Sequence, residues 1–116
     1  MPRFTILEHD WPTRHWDLLL EHGTILKSWR LLQEPHLGQY IVAEPNADHR
    51  LMYLDYEGEV SGNRGIVTQW DAGVYEGEIG ETWDVKWVGK RSQGIARLMQ
   101  TDDGSYLFGT TVNPII

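Results

Sequence analysis

The chain has 116 residues, 41% hydrophobic and 23% charged, with no cysteine and a formal net charge of −7 from 10 Lys+Arg against 17 Asp+Glu. That composition fits one domain with a modest core, residues 1–116. It excludes disulfides and thiolate chemistry, and it disfavours a surface that grips a long phosphate backbone through a basic field. No run of roughly 18 apolar residues is present to span a membrane. Met1-Pro2-Arg3-Phe4 opens without an apolar signal region, so a cytoplasmic protein with no membrane partner is expected. A small phosphate-bearing or metal-bound substrate stays compatible with the acidic balance, because a bound cation reverses the local sign.

Alternating apolar and polar residues predict β structure almost throughout. Arg3–His9 reads as a first strand, ended by Asp10 and the Trp11-Pro12 step. Arg14–Glu21 is the second; His22-Gly23 turns it into a third, Ile25–Leu31, so these two form a hairpin. Glu34–Gly38 is a loop and Gln39–Ala43 a short strand closed by Glu44-Pro45-Asn46. Ala47–Leu54 reads as one short helical turn capped by Asn46 or Asp48, and Asp55–Val60 as an extended piece before a turn at Ser61–Gly65. Ile66–Trp70 is a strand, Asp71-Ala72-Gly73 a turn, and Val74-Tyr75-Glu76 its partner. Trp83–Val88 alternates with Trp83, Val85 and Trp87 on one face. Gly94–Met99 follows, then a turn at Asp102-Asp103-Gly104 and a last strand at Ser105–Gly109. The tail Asn113–Ile116 is expected to be loosely held. Many short strands spaced by turns predict a mainly β fold, a compact antiparallel β-barrel or sandwich with one or two short helical turns. The six tryptophans either fill that core or line a site.

Two constellations carry chemistry. In the second strand, side chains alternate faces. Trp16, Leu18 and Leu20 form an apolar row, while His15, Asp17, Leu19 and Glu21 share the opposite side. If the first two strands approach each other, His9, His15 and Asp17 converge, and two imidazoles with one carboxylate suit Mn²⁺, Fe²⁺ or Zn²⁺. The plain alternative is a half-exposed strand with ordinary polar residues outward. The second constellation is His49 and Tyr53, four apart on one helical face: a proton donor or phosphate contact beside a phenol that hydrogen-bonds a phosphate oxygen. Here the plain alternative is a helix face packed through Leu51, Met52 and Leu54. Nucleophile elbows and phosphate-cradling loops are absent.

These segments resemble the 3′-phosphoesterase domain family of bacterial DNA ligase D, including its small stand-alone relatives. The likeness runs through Met1–His9, Arg14-His15-Trp16-Asp17-Leu18-Leu19-Leu20-Glu21, Leu26-Lys27-Ser28-Trp29 and Asp48-His49-Arg50-Leu51-Met52-Tyr53. It continues through Trp70–Tyr75 and Gln93–Leu98. The resemblance implies a compact β-barrel and Mn²⁺-dependent trimming of DNA 3′ ends in non-homologous end joining, with removal of a terminal ribonucleoside and then of the 3′-phosphate. By position, His9, His15 and Asp17 match the metal ligands, for Mn²⁺ or another divalent transition metal. His49 and Tyr53 match the catalytic pair at the scissile phosphate. A separate ligase or polymerase is the implied companion.

Three departures accompany it. The family's arginine two residues after the metal aspartate is Leu19 here, the glutamine two residues before the first histidine is Leu7, and the lysine of the family's W-A-V-P-K-G segment is lost, with Gln33 and Glu34 near that point. Arg14 and Arg50 are the nearest basic residues to take over phosphate binding. The competing expectation is therefore a non-catalytic or weakly active β-barrel that binds a metal or phosphate ligand, or an esterase for a smaller phosphoester.

Overall fold

The period-two patterning closes on itself: a computed structural model describing residues 1–111 shows a barrel of eight antiparallel strands. The strands are β1 (Arg3–His9), β2 (His15–His22), β3 (Ile25–Leu31), β4 (Ile41–Arg50), β5 (Gly58–Glu59), β6 (Ile66–Glu76), β7 (Trp83–Gly89), β8 (Gln93–Gln100) and β9 (Tyr106–Thr110). The sheet runs β1-β2-β3-β4-β9-β8-β7-β6, and β6 returns to β1. Closure pairs both sides of most barrel strands, whereas β4 keeps one side open beyond its first residues. β5 is a two-residue flap on β6 outside the ring. A single 3-10 turn, Leu51–Leu54, follows β4. The tail 113–116 lies outside the described residues. No helix among the described residues is long and apolar enough to cross a membrane.

One face of each barrel strand fills the interior. Phe4, Ile6, Trp16, Leu18, Leu20, Trp29, Leu31, Trp83, Val85, Trp87, Leu98 and Phe108 are buried together there. Phe4 stacks on Trp87, and Trp83 meets Trp29 edge-on; each such pair adds about 0.5–1.5 kcal/mol beyond burial. Four of the six tryptophans thus belong to the core, with Trp70 packed against it and Trp11 exposed.

One patch of the outer face is apolar and covered. Leu7, Leu19, Leu26, Leu54 and Val67 form a second small core under the 3-10 turn. Leu19 is wholly buried in it. The side of β2 that carries His15 and Asp17 is therefore half wet and half dry.

Three expectations are corrected. The strand expected to end at Ala43 runs on to Arg50, through Pro45. β9 pairs only with Ile41 and Val42, so beyond Ala43 that side of β4 is an edge where a missing N–H breaks no ladder. His49 accordingly sits in a strand, not on a helix with Tyr53. The turn expected at Asp71–Gly73 is the middle of β6. Its partner register slips between Ile6 and Leu7, which leaves Trp70 as an extra residue. This bulge turns the odd-numbered positions from the outer face (Val67, Gln69) to the inner one (Asp71, Tyr75). Buried Asp71 then accepts hydrogen bonds from the backbone N–H groups of Ala72, Lys90 and Arg91 and from Ser92 Oγ. Of the extended piece Asp55–Val60, only Gly58–Glu59 is strand.

Candidate metal centre and cleft

β1 and β2 are antiparallel with His9 directly opposite His15 and Leu7 opposite Asp17. Strand alternation puts His9, His15 and Asp17 on the outer face together. His9 Nδ1 lies 3.5 Å from Asp17 Oδ2 and His15 Nε2 lies 3.2 Å from Asp17 Oδ1. One donor atom from each of the three residues falls within 4.8 Å of the others. His15 and Asp17 are buried, and His9 is partly so.

The other nitrogen of each imidazole is spoken for. His9 Nε2 is 2.7 Å from the Arg64 carbonyl and His15 Nδ1 is 2.9 Å from the Thr13 carbonyl. A carbonyl only accepts, so these nitrogens carry the protons and the inward-facing ones carry lone pairs. His15 Nε2 is buried without a hydrogen-bond partner. Two lone pairs and a carboxylate facing each other are a set of Lewis bases that a proton or a cation must hold together. Imidazoles oriented by carbonyls are the ordinary support of a metal site, and the N, N, O donor set suits a divalent transition metal. The proton's share of this is visible at His15. Burial acts downward and is the largest single influence. The carboxylate of Asp17 and the Thr13 carbonyl outweigh it, so the pKa is raised, against an opposing pull from Arg30.

A cleft of about 320 Å³ opens in front of the three residues. Its walls include Trp11, Arg30, Asp48, His49, Arg50, Tyr53 and Arg64. His49 Nδ1 donates to the Ala47 carbonyl at 2.9 Å, which leaves Nε2 as its free acceptor. His49 and Tyr53 meet edge-on at 5.7 Å, although they come from β4 and the 3-10 turn. The expected pair is thus brought together by a route the helical reading did not contain.

Of the basic residues singled out, Arg50 lines the cleft, but Arg14 does not. Arg14 lies 2.6 Å from Glu8 and over the Trp16 ring. Sequence reasoning missed Arg30 and Arg64. The signal for Arg30 was the hairpin: with Gly23-Thr24 as a two-residue turn, Gly23 at φ +63°, counting back from His22↔Ile25 sets Arg30 opposite Asp17. Arg64 could not be found that way. It arrives because the loop before β6 is clamped to the β1–β2 turn, where Asp10 Oδ1 accepts from the Ile66 N–H at 2.8 Å. Gly65, at φ +79°, leaves no room there for a Cβ, which would lie 2.6 Å from Trp11 Cβ.

Comparison with known proteins places these features in context. The family model for the DNA ligase D 3′-phosphoesterase domain matches residues 7–101. A relative named multifunctional non-homologous end joining protein LigD, from Pseudomonas aeruginosa, is 33% identical over 78 residues, 63% of this chain. The match covers only 9% of that relative's length.

Proposed function

The chain belongs to the DNA ligase D 3′-phosphoesterase domain family, and from that premise we propose that it is a metal-dependent phosphoesterase acting on the 3′ ends of DNA in end joining. The observation that carries the reading is the inward-facing lone-pair set of His9, His15 and Asp17 at the wall of a cleft that also holds His49 and Tyr53. His9 Nδ1, His15 Nε2 and an Asp17 carboxylate oxygen would hold Mn²⁺ or another divalent transition metal. When bound, such an ion supplies a Lewis acid for phosphoryl chemistry. The remaining work falls to side chains. His49, anchored through Nδ1, presents Nε2 to give or take a proton at the ester oxygen. The Tyr53 phenol donates a hydrogen bond to a phosphoryl oxygen, and Arg50 adds positive charge at the rim. A separate ligase or polymerase would use the trimmed end.

The acidic balance of the whole chain does not oppose this reading. The cleft wall has three arginines, Arg30, Arg50 and Arg64, against two aspartates, Asp17 and Asp48. Three of the chain's 10 Lys+Arg residues therefore stand at one cleft, and a divalent ion would add to that local positive field. The test is Mn²⁺-dependent phosphate release from a 3′-phosphorylated DNA primer, compared with His15→Ala and His49→Ala. Both variants are expected to lose activity, with His15→Ala also losing metal uptake. Wild-type turnover no higher than the His15→Ala background overturns the proposal.

A further inference from the structure

We propose that Arg30 is the anion-binding residue of this cleft, gripping the phosphoryl group of the substrate beside Asp17; this rests on the phosphoesterase reading of the same site. The argument starts from register. Arg30 is paired with Asp17 across β2 and β3, and directly opposed side chains of neighbouring strands stand about 5 Å apart at Cβ. An arginine so close to an aspartate ordinarily forms an ion pair. Arg30 takes part in none of the ion pairs found among the described residues, because the Asp17 oxygens face His9 and His15.

Five other guanidinium groups of the chain are occupied, and Arg50, at the same cleft, is exposed to water rather than buried. Arg3 is held by Asp55, Arg14 by Glu8, Arg97 by Asp84 and Arg64 by Ser61, and Arg91 lies over Trp70. Arg30 Nε is instead buried with no hydrogen-bond partner. A guanidinium cannot shed its proton, and a buried donor left unmet is unfavourable. The position is therefore suited to a ligand that brings acceptors and negative charge. The planar fork of arginine matches two phosphoryl oxygens at once, and the cleft in front of it is where such a group would lie.

The experiment is calorimetric titration of inorganic phosphate and of thymidine 3′-monophosphate into the full chain with saturating Mn²⁺. Arg30→Gln is expected to weaken both by about tenfold or more, as loss of a charge-assisted hydrogen bond implies. Arg30→Lys should fall in between. Arg97→Gln removes the same charge at a distance and should change affinity by less than about twofold. Mn²⁺ uptake, read by electron paramagnetic resonance, should survive Arg30→Gln. If Arg30→Gln does not fold, Arg30→Met, which keeps an apolar stem, decides. Unchanged phosphate and nucleotide affinity in the Arg30 variant, or no binding of either by wild type, overturns the inference while leaving the metal centre standing. If wild type takes up no Mn²⁺, the metal reading fails, and the same titrations in metal-free buffer decide Arg30 by itself.

Discussion

Substitution of Leu19 tests whether that residue is a lost phosphate ligand or a core residue. Leu19 is fully buried and packed with Leu7, Leu26, Leu54 and Val67. Truncation to alanine removes roughly three buried carbon groups, about 2.4 kcal/mol at ~0.8 kcal/mol each. The space left under a single 3-10 turn then adds to the loss, for a total of about 3–4 kcal/mol. For a chain of this size that corresponds to a fall in Tm of roughly 10–20 °C. Leu19→Arg should be at least as damaging, since it drives an unpartnered guanidinium into a site walled by leucines. Urea unfolding of the metal-free protein, with m-values compared to exclude a changed denatured state, gives the numbers. A loss below about 1 kcal/mol for Leu19→Ala refutes the packing argument, as does a stable Leu19→Arg variant that binds phosphate more tightly than wild type. Either result would return position 19 to the cleft.

The raised His15 pKa fixes the sign of two pH effects. In metal-free protein the native state holds the His15 proton more tightly than the unfolded chain. That stabilisation is complete below the ordinary imidazole pKa and is lost as pH rises from there through the raised folded value. Mn²⁺ must displace the same proton, so metal affinity should fall as pH drops through that value. Thermal melts against pH in EDTA and in Mn²⁺ should therefore slope oppositely, and identical slopes, or slopes unchanged in His15→Gln, refute the assignment. Gly65→Ala combines a φ of +79° with a Cβ that meets Asp10 and Trp11; a loss of at least ~1–3 kcal/mol and weaker Mn²⁺ uptake are expected, because the Arg64 carbonyl that orients His9 moves with this loop. Wild-type metal affinity in that variant would count against the clamp. Asp71→Ala strips the acceptor from three backbone N–H groups and Ser92, so a loss of about 3 kcal/mol or more with Mn²⁺ affinity intact is expected in a denaturant titration.

The sequence made the barrel legible because its strands alternate cleanly, and it made His9, His15 and Asp17 legible because all three sit on two strands joined by a short turn. It failed where tertiary context overrides local signals. Pro45 argued for a strand end, but an unpaired edge tolerates it. Asp71-Ala72-Gly73 looks like a turn by composition, yet a bulge at Trp70 carries the strand through and hides the carboxylate inside. His49 and Tyr53 share no element, so their meeting depends on where the turn after β4 lands. Arg30 was within reach of register counting alone, whereas Arg64 depended on a loop docking that no local pattern encodes.

Leu7 and Leu19 stood out in the sequence as two separate departures from expected polar residues, each subtracting from a phosphate site. In the folded chain they are one feature. β1–β2 register sets Leu7 opposite Asp17 and Leu19 opposite Thr5, so the two leucines are diagonal neighbours on the outer face. Both pack with Leu54 of the 3-10 turn. That turn also carries Tyr53, which meets His49 over the cleft. The leucines thus hold the platform that positions Tyr53, and a charge at either place would face the underside of that turn. Positive charge on this surface has to come from a position beyond the small core under the turn, and β3, whose Leu26 belongs to that core, supplies it at Arg30, two residues past Ser28, which lies opposite Leu19. An apolar residue at position 19 is therefore compatible with a charged cleft, because the dry and wet halves of the face are built by adjacent rows of the same sheet.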